Sequence, residues 1–407
     1  MDLIETKFLK LAADNAPGQE TRINRIGDSG SVVALKGGEL SGVPVDFSHG
    51  DVDAFLPSPG AQEAFVAGYA SGGRQAYTEY RGGRQTRQDL ASKLAAFTGK
   101  PIENDDSLIL TPGSQGALFL AMASVITAGD KVAIVQPDYF ANRKIAQFLE
   151  AEITPVRLHY AAQTDRAGLD LDELESAFKS GAKLFVFSNP NNPAGVIYSE
   201  DEIGTIASLA NRYGVTVIVD QLYSRLLYDG KGYTHLRAAE IDPDKVVTIM
   251  GPSKTESLSG YRLGVAFGSL PVIDRMEKLQ AIVSLRAAGY NQAVLNAWFS
   301  EPAGWMAQRI AQHQAIRDDL VAKLRTINGA SVRTPEAGSY LFPTLPTLSV
   351  STLDFAGVLR KEAGVTVTIG TEFGPRHKDS VRLNFSQNHQ AAVHAVDRMV
   401  QLIQRYR

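Results

Sequence analysis

The chain has 407 residues, enough for one large and one smaller domain. Apolar residues make up 44% and charged residues 21%, and the formal charge is −3, which argues against a nucleic-acid surface. There are no cysteines, so disulfides and thiolate metal sites are excluded.

The first fifteen residues carry acids and lack the apolar core of a signal peptide. No apolar run reaches the ~18 residues a membrane span needs, so a cytoplasmic protein is expected. Residues 1–47 read as a short helix and then an extended arm, leading to Ser48-His49-Gly50. Tyr77 follows a helix-like segment and stands five residues before Gly82, with Tyr80 between them. A strand is predicted to end at Thr111, with a glycine-rich turn and a helix from about Ser114. Such a turn points free backbone N–H groups, at the positive end of a helix, toward a phosphate; Gly113, Ser114 and Gln115 are the candidates.

The next apolar run, KVAIVQP, ends in Asp138-Tyr139, and a strand (ITPVRL) and a helix (LDELESAF) follow. LFVFSNPNNPAG is a strand that runs into an Asn/Pro turn bearing Asn192. Ser199 and Glu202 form a capping box for a helix that Gly214 stops. VTVIVDQLY is a buried run ending in Asp220, with Tyr223 three residues on. Strands alternating with helices over 107–250 predict a parallel sheet covered on both faces, with its ligand at the carboxyl ends of the strands.

Between the apolar runs at 246–250 and 263–267 stand Ser253, Lys254 and, eight residues after the lysine, Arg262. A lysine between two buried strands should be desolvated, which lowers its pKa and makes the amine a nucleophile for an aldehyde. A long helix over about 304–325 is expected to bury Met306, Ile310, Leu320 and Leu324. Strands at 331–334, 338–345, 365–370 and 380–386, a helix at 353–364 and a last helix then complete an α+β unit. The seven histidines show no metal spacing, so no metal site is expected.

Asn-Pro-x-Gly, then Asp-x-x-Tyr, then Ser-Lys with Arg eight residues later resembles the class I/II aminotransferases, the aspartate-aminotransferase-like pyridoxal 5′-phosphate (PLP) enzymes of fold type I. The resemblance runs in order from about Gly50 to about Ser386. It implies an α/β fold: a large domain with a mostly parallel seven-stranded sheet flanked by helices, RLGVAFG being its antiparallel member, plus a smaller α+β domain from the N- and C-terminal segments. The divisions expected are 1–50 for the arm and part of the small domain, 51–300 for the PLP-binding domain, and 301–407 for the rest of the small domain.

The resemblance also assigns roles. Lys254 anchors PLP covalently and moves the proton; Asp220 holds the pyridine nitrogen protonated; Tyr223 and Asn192 bind the ring 3′-oxygen. Tyr139 stacks on the ring. Ser253, Arg262 and residues 113–115 hold the phosphate, joined by Tyr77 from a second subunit, which makes the enzyme a homodimer with shared sites. Arg382 grips the substrate α-carboxylate, with Gly50 and Asn192 beside it. The implied activity is ping-pong transfer of an α-amino group between an amino acid and a 2-oxo acid through pyridoxamine phosphate. A lyase, racemase or oxidase on the same scaffold is the alternative, and a PLP-binding regulator would carry a DNA-binding segment that this chain lacks. Gly251, where the family often has serine, and Ala194, where it often has threonine, are departures that remove no chemical group. For the far end of a dicarboxylic substrate the candidates are Arg286, or Arg22 and Arg25 in the arm.

Overall fold

A computed structural model describes residues 2–12, 35–50, 53–102, 104–160 and 168–407. Arg22 and Arg25 therefore lie outside the described residues. The strands in chain order are β1 (Val45–Asp46), β2 (Leu108–Pro112), β3 (Lys131–Gln136), β4 (Glu152–His159), β5 (Gly168–Leu169), β6 (Ala182–Ser188), β7 (Thr216–Asp220), β8 (Val246–Met250), β9 (Leu263–Gly268), β10 (Tyr340–Leu341), β11 (Val365–Thr366), β12 (Thr368–Ile369) and β13 (Val381–Asn384).

Eight of them form one sheet in the order β2-β9-β8-β7-β6-β3-β4-β5. β8, β7, β6, β3 and β4 pair in parallel, and β9 runs antiparallel between β2 and β8. Seven strands match the expectation; the eighth, β5, is a two-residue antiparallel addition at the edge of β4. The central strands are buried on both faces, so they read as unbroken apolar runs rather than alternating ones. Helices cover them, including Gly113–Ala123 on one side and Glu200–Tyr213 on the other. The latter starts with both halves of the Ser199/Glu202 capping box and stops at Gly214, which takes φ 67°.

The two ends of the chain build a second packed unit. Its core joins Val45, Phe47 and Phe55 to side chains of 316–406, with Leu226 and Tyr228 reaching in from the loop after β7. β10, β13 and β12 make a three-stranded sheet, and β1 pairs in parallel with β11. Residues 331–334 make only a bridge to Thr344 where a strand was expected.

The helix Trp305–Leu324 differs from its expected burial. Leu320 and Leu324 are buried, but Met306 and Ile310 are only half-buried, and Arg309, His313 and Arg317 are buried instead. Apolar periodicity fails there because the helix faces the cleft between the two units, where polar groups have partners. Arg309 donates to the Ser257 hydroxyl (2.9 Å) and the Leu56 carbonyl (2.8 Å), and Arg317 to Asp229 (2.9 Å). Among the described residues, no helix is long and apolar enough to cross a membrane.

Candidate active site

The turns at the carboxyl ends of the parallel strands meet in one cavity of about 140 Å³. Ser114 and Gln115 reach it from the turn after β2, Tyr139 from beyond β3, and Asn192 from beyond β6. Asp220 and Tyr223 enter from the end of β7, Ser253, Lys254 and Arg262 from the β8–β9 connection, and Tyr340 from β10. A second lobe of about 160 Å³ shares Tyr223, Ser253 and Lys254 and adds His49, Gly50, His313, Asn384 and Ser386.

The floor of the cavity is a carboxylate with one donor. Asp220 Oδ1 accepts from Leu222 N at 3.1 Å, the one hydrogen bond to its side chain among the described residues. Burial pushes its carboxyl up to about 6, against the pull of Lys254. A buried carboxylate with so little support would be stabilised by a cationic N–H opposite it, as a protonated pyridine ring would supply.

The other end of the cavity has the features of an anion site. The helix Gly113–Ala123 starts with no side-chain cap, so its first N–H groups are open to an anion. Arg262 sits in the left-handed region (φ 53°), which turns its guanidinium back over Gly113. A Cβ on Gly113 would lie 2.6 Å from Arg262 Nη2, and one on Gly264 would lie 2.3 Å from the Gly113–Ser114 backbone. The turn thus approaches β9 as closely as glycine permits. Ser253 is buried beside it.

Lys254 corrects one expectation. It is exposed rather than desolvated between strands, because the connection after β8 rises above the sheet end before β9 returns. No hydrogen bond or ion pair holds its amine among the described residues, so the amine is open to the cavity. Gly50 lines the second lobe, where an added Cβ would meet Ser386 at an ordinary 3.4 Å.

Arg382 is 4% exposed and lies between the rings of Tyr340 (4.2 Å) and Phe373 (4.7 Å). It donates to Asn192 Oδ1 and to the Ser48 carbonyl, both at 3.1 Å, while its Nε has no partner. No carboxylate pairs with it among the described residues. A buried guanidinium without a counter-ion is costly, and a substrate carboxylate would supply what is missing.

Tyr223 donates its hydroxyl to Tyr340 Oη at 2.7 Å, and Tyr139 donates to Gln115 Oε1 at 2.9 Å. Tyr340 was not picked out in the sequence; only its place in Gly-Ser-Tyr three strands before Arg382 could have signalled it. Asp138 was likewise passed over. Its carboxylate accepts from Tyr139 N (2.6 Å), Ser188 N (2.9 Å) and the Ser188 hydroxyl, and Ser188 Oγ in turn accepts from Asn192 N (3.0 Å). Burial pushes the Asp138 carboxyl up to about 8 despite these donors, with the Asp220 charge adding to the rise.

Tyr77 and Arg286 stand apart from this cavity. Tyr77 is 74% exposed, and the Arg286 guanidinium stacks 4.0 Å over its ring and donates to the Thr78 carbonyl. A larger cleft of about 330 Å³ separates β4 from the small unit, but its lining has no lysine to anchor a cofactor. Two of its three arginines are already paired, Arg157 with Glu173 and Arg333 with Glu336, each at 3.3 Å.

Fold and cavity together define a PLP-dependent enzyme of fold type I: a mostly parallel sheet, a lysine and a carboxylate at its strand ends, and an arginine-backed phosphate cup. The family model for aminotransferase class I and II matches residues 44–399, and the chain belongs to that family. It is a PLP-dependent transaminase acting on an amino acid and a 2-oxo acid. Among solved structures it resembles an aspartate aminotransferase from Rhodobacter sphaeroides 2.4.1 at 62% identity and TM-score 0.92, covering 99% of this chain and 100% of that one. The aspartate aminotransferase of Sulfolobus acidocaldarius is 30% identical over 82% of this chain and 83% of its own length. A (5-formylfuran-3-yl)methyl phosphate transaminase of Methanocaldococcus jannaschii is 27% identical over 87% of this chain and 90% of its own, so relatives at similar distance carry different substrate names.

Proposed function

We propose that this transaminase takes a dicarboxylic amino acid of the aspartate type, in a ping-pong exchange, with Lys254 as the covalent anchor. The carrying observation is Arg382: a buried guanidinium with no carboxylate partner among the described residues, tied through Asn192 to the cavity that holds Lys254 and Asp220. Bound in that cavity, PLP supplies the aldehyde that takes up the amino group and a ring that withdraws electrons from the substrate Cα. The chain's own groups do the rest. Asp220 holds a proton on the ring nitrogen. Asn192, its oxygen engaged by Arg382, has its amide N–H₂ to offer the ring 3′-oxygen, and Tyr223 would turn its hydroxyl from Tyr340 to the same oxygen. Gly113, Ser114, Gln115, Ser253 and Arg262 hold the phosphate, and Tyr139 covers the ring. Arg382 fixes the α-carboxylate, with Gly50 lining the approach, so that one Cα bond faces the ring. Lys254 Nζ would take the proton from Cα and deliver it to the carbon that bore the aldehyde.

Support for a homodimer comes from the outer face. Val66, Tyr69, Tyr77, Ile282, Val283 and Leu285 are all exposed there, and a second copy would cover them. Tyr77 and Arg286 belong to this face, so both would reach the neighbour's site, Tyr77 toward phosphate and Arg286 toward the distal carboxylate. The aspartate reading also draws on the name of the Rhodobacter sphaeroides neighbour. The two packed units are read as the domains, dividing near 50 and 300, and the setting as cytoplasmic.

The test is a half-reaction screen, mixing holoenzyme with each amino acid and following the cofactor's visible band. Aspartate and glutamate should be among the fastest donors. Arg286→Leu should weaken these by roughly 2–5 kcal/mol in kcat/KM and leave alanine nearly unchanged. Equal loss for all donors, or none, would remove Arg286 from substrate reading.

A further inference from the structure

Beneath the active-site turns lies a buried ion triad that the chemistry above does not use. Arg225 Nη1 and Nη2 grip Glu301 Oε1 and Oε2 at 2.9 and 3.0 Å, and Nη1 also donates to Glu256 Oε1. The side chains of Arg225, Glu256 and Glu301 are only 11%, 2% and 7% exposed. The guanidinium carbon lies over the Phe299 ring, 4.1 Å from its centre.

The places of these residues in the chain give the triad its meaning. Arg225 is two residues past Tyr223, on the turn after β7. Glu256 is two residues past Lys254, on the connection after β8. Glu301 precedes Pro302 and the helix Trp305–Leu324, on the segment joining the sheet to the second unit. That segment is otherwise pinned by Lys93, which donates to the carbonyls of Asn296 and Trp298 and to the Ser300 hydroxyl, each at 2.9 Å. Arg309, one turn into the helix, reaches back to Ser257 on the lysine connection.

Burying three ions is expensive, and apolar replacements of equal volume often leave such a site as stable or more so. Two carboxylates against one guanidinium make this one dearer still: burial pushes Glu256 up to about 7, with Glu301 adding to the rise and Arg225 opposing it. Stability is therefore a poor reason for the triad. What it does supply is geometry, since a bidentate fork fixes both distance and angle.

We propose that Arg225, Glu256 and Glu301 are positioning residues: the triad locks the Tyr223 turn and the Lys254 connection into one register and fastens both to the segment leading into the second unit. The two turns leave different strands, and a movement of 0.5 Å in one against the other matters to a cofactor held by both. Loosening Glu301, which among the described residues has no hydrogen bond or ion pair to a cavity residue, then loosens the seat of the cofactor.

The functional part of this inference rests on Lys254 and Tyr223 being the cofactor residues. Two readouts keep the parts distinguishable, because hydrogen exchange reports the linkage whichever lysine carries PLP. In Glu301→Gln, amide exchange measured on the cofactor-free chain should rise roughly 3- to 10-fold over 221–228 and over 252–262, as coupled neighbours do. The PLP dissociation constant should rise by a similar factor. Faster exchange confined to 299–303, or unchanged PLP affinity, overturns the proposal. Arg225→Met/Glu256→Leu/Glu301→Leu is the second variant: a retained thermal midpoint with weakened PLP binding is expected. A retained midpoint with wild-type affinity and exchange would make the triad packing alone and overturn the proposal.

Discussion

At the scale of single residues, the chemistry depends on charges placed where protein alone does not satisfy them. Among the described residues, Asp220 has one backbone donor, Arg382 has no carboxylate, and the Lys254 amine has no hydrogen bond or ion pair. In the proposed reading each faces a different part of the ligand, so each can be tested separately. Borohydride reduction of the holoenzyme should fix the cofactor's mass on the peptide holding Lys254; a label elsewhere removes the anchor assignment. Asp220→Asn should keep PLP yet lose roughly 10²–10⁴-fold in turnover, because a neutral amide cannot hold the ring nitrogen protonated. Near wild-type rates would rule out that role.

At the scale of elements, the close approach of β9 to the turn after β2 shapes the proposed phosphate cup. Gly264→Ala should press a methyl into the Gly113–Ser114 backbone, where it has 2.3 Å of room. Overpacking of this kind costs about 1–3 kcal/mol, so thermal unfolding should shift down and PLP should bind at least several-fold more weakly. An unaltered dissociation constant would mean that the cup tolerates a wider gap than its geometry implies. What could be read in advance also sorts by element. Strand ends were legible because each apolar run stops at a polar group, and the spacing from Lys254 to Arg262 survives as a local fact. Contacts between distant segments were not. Tyr223 meets Tyr340 across 117 residues, and Arg225 meets Glu301 across 76. The buried face of Trp305–Leu324 was misjudged for a related reason. Apolar periodicity cannot see an arginine whose partners come from another part of the chain.

Across the whole molecule, buried titrating groups set how stability responds to pH. His235, His313 and His377 are each lowered to about 4 by burial, so folding favours their neutral forms and stability rises as pH climbs toward their unfolded pKa near 6.5. Glu256 and Asp138 are raised to about 7 and about 8, so the folded chain binds protons that the unfolded chain has already lost. Their stabilisation is full below the unfolded carboxyl pKa and is lost as pH rises through those folded values. The unfolded histidines are still half protonated at about pH 6.5, so their contribution is complete only about one unit higher, and the carboxyls dominate from about pH 7. The thermal midpoint of the cofactor-free protein should therefore fall between about pH 7 and 8. A flat or rising midpoint in that window would mean that both acids ionise normally in the fold.

The pairing of Tyr77 with Arg286 on the outer face also bears on genetics. If a neighbour's Tyr77 completes each site, two defective alleles need not be equally defective together. A chain with Lys254→Ala has a sound Tyr77 to lend, and a chain with Tyr77→Ala has a sound Lys254. Expressed at equal levels and pairing at random, they would form half of all dimers as mixed pairs, each with one complete site of two, or roughly a quarter of wild-type capacity. Such complementation would show itself as growth where neither allele alone supports it, and two alleles that both strike Lys254 would never show it.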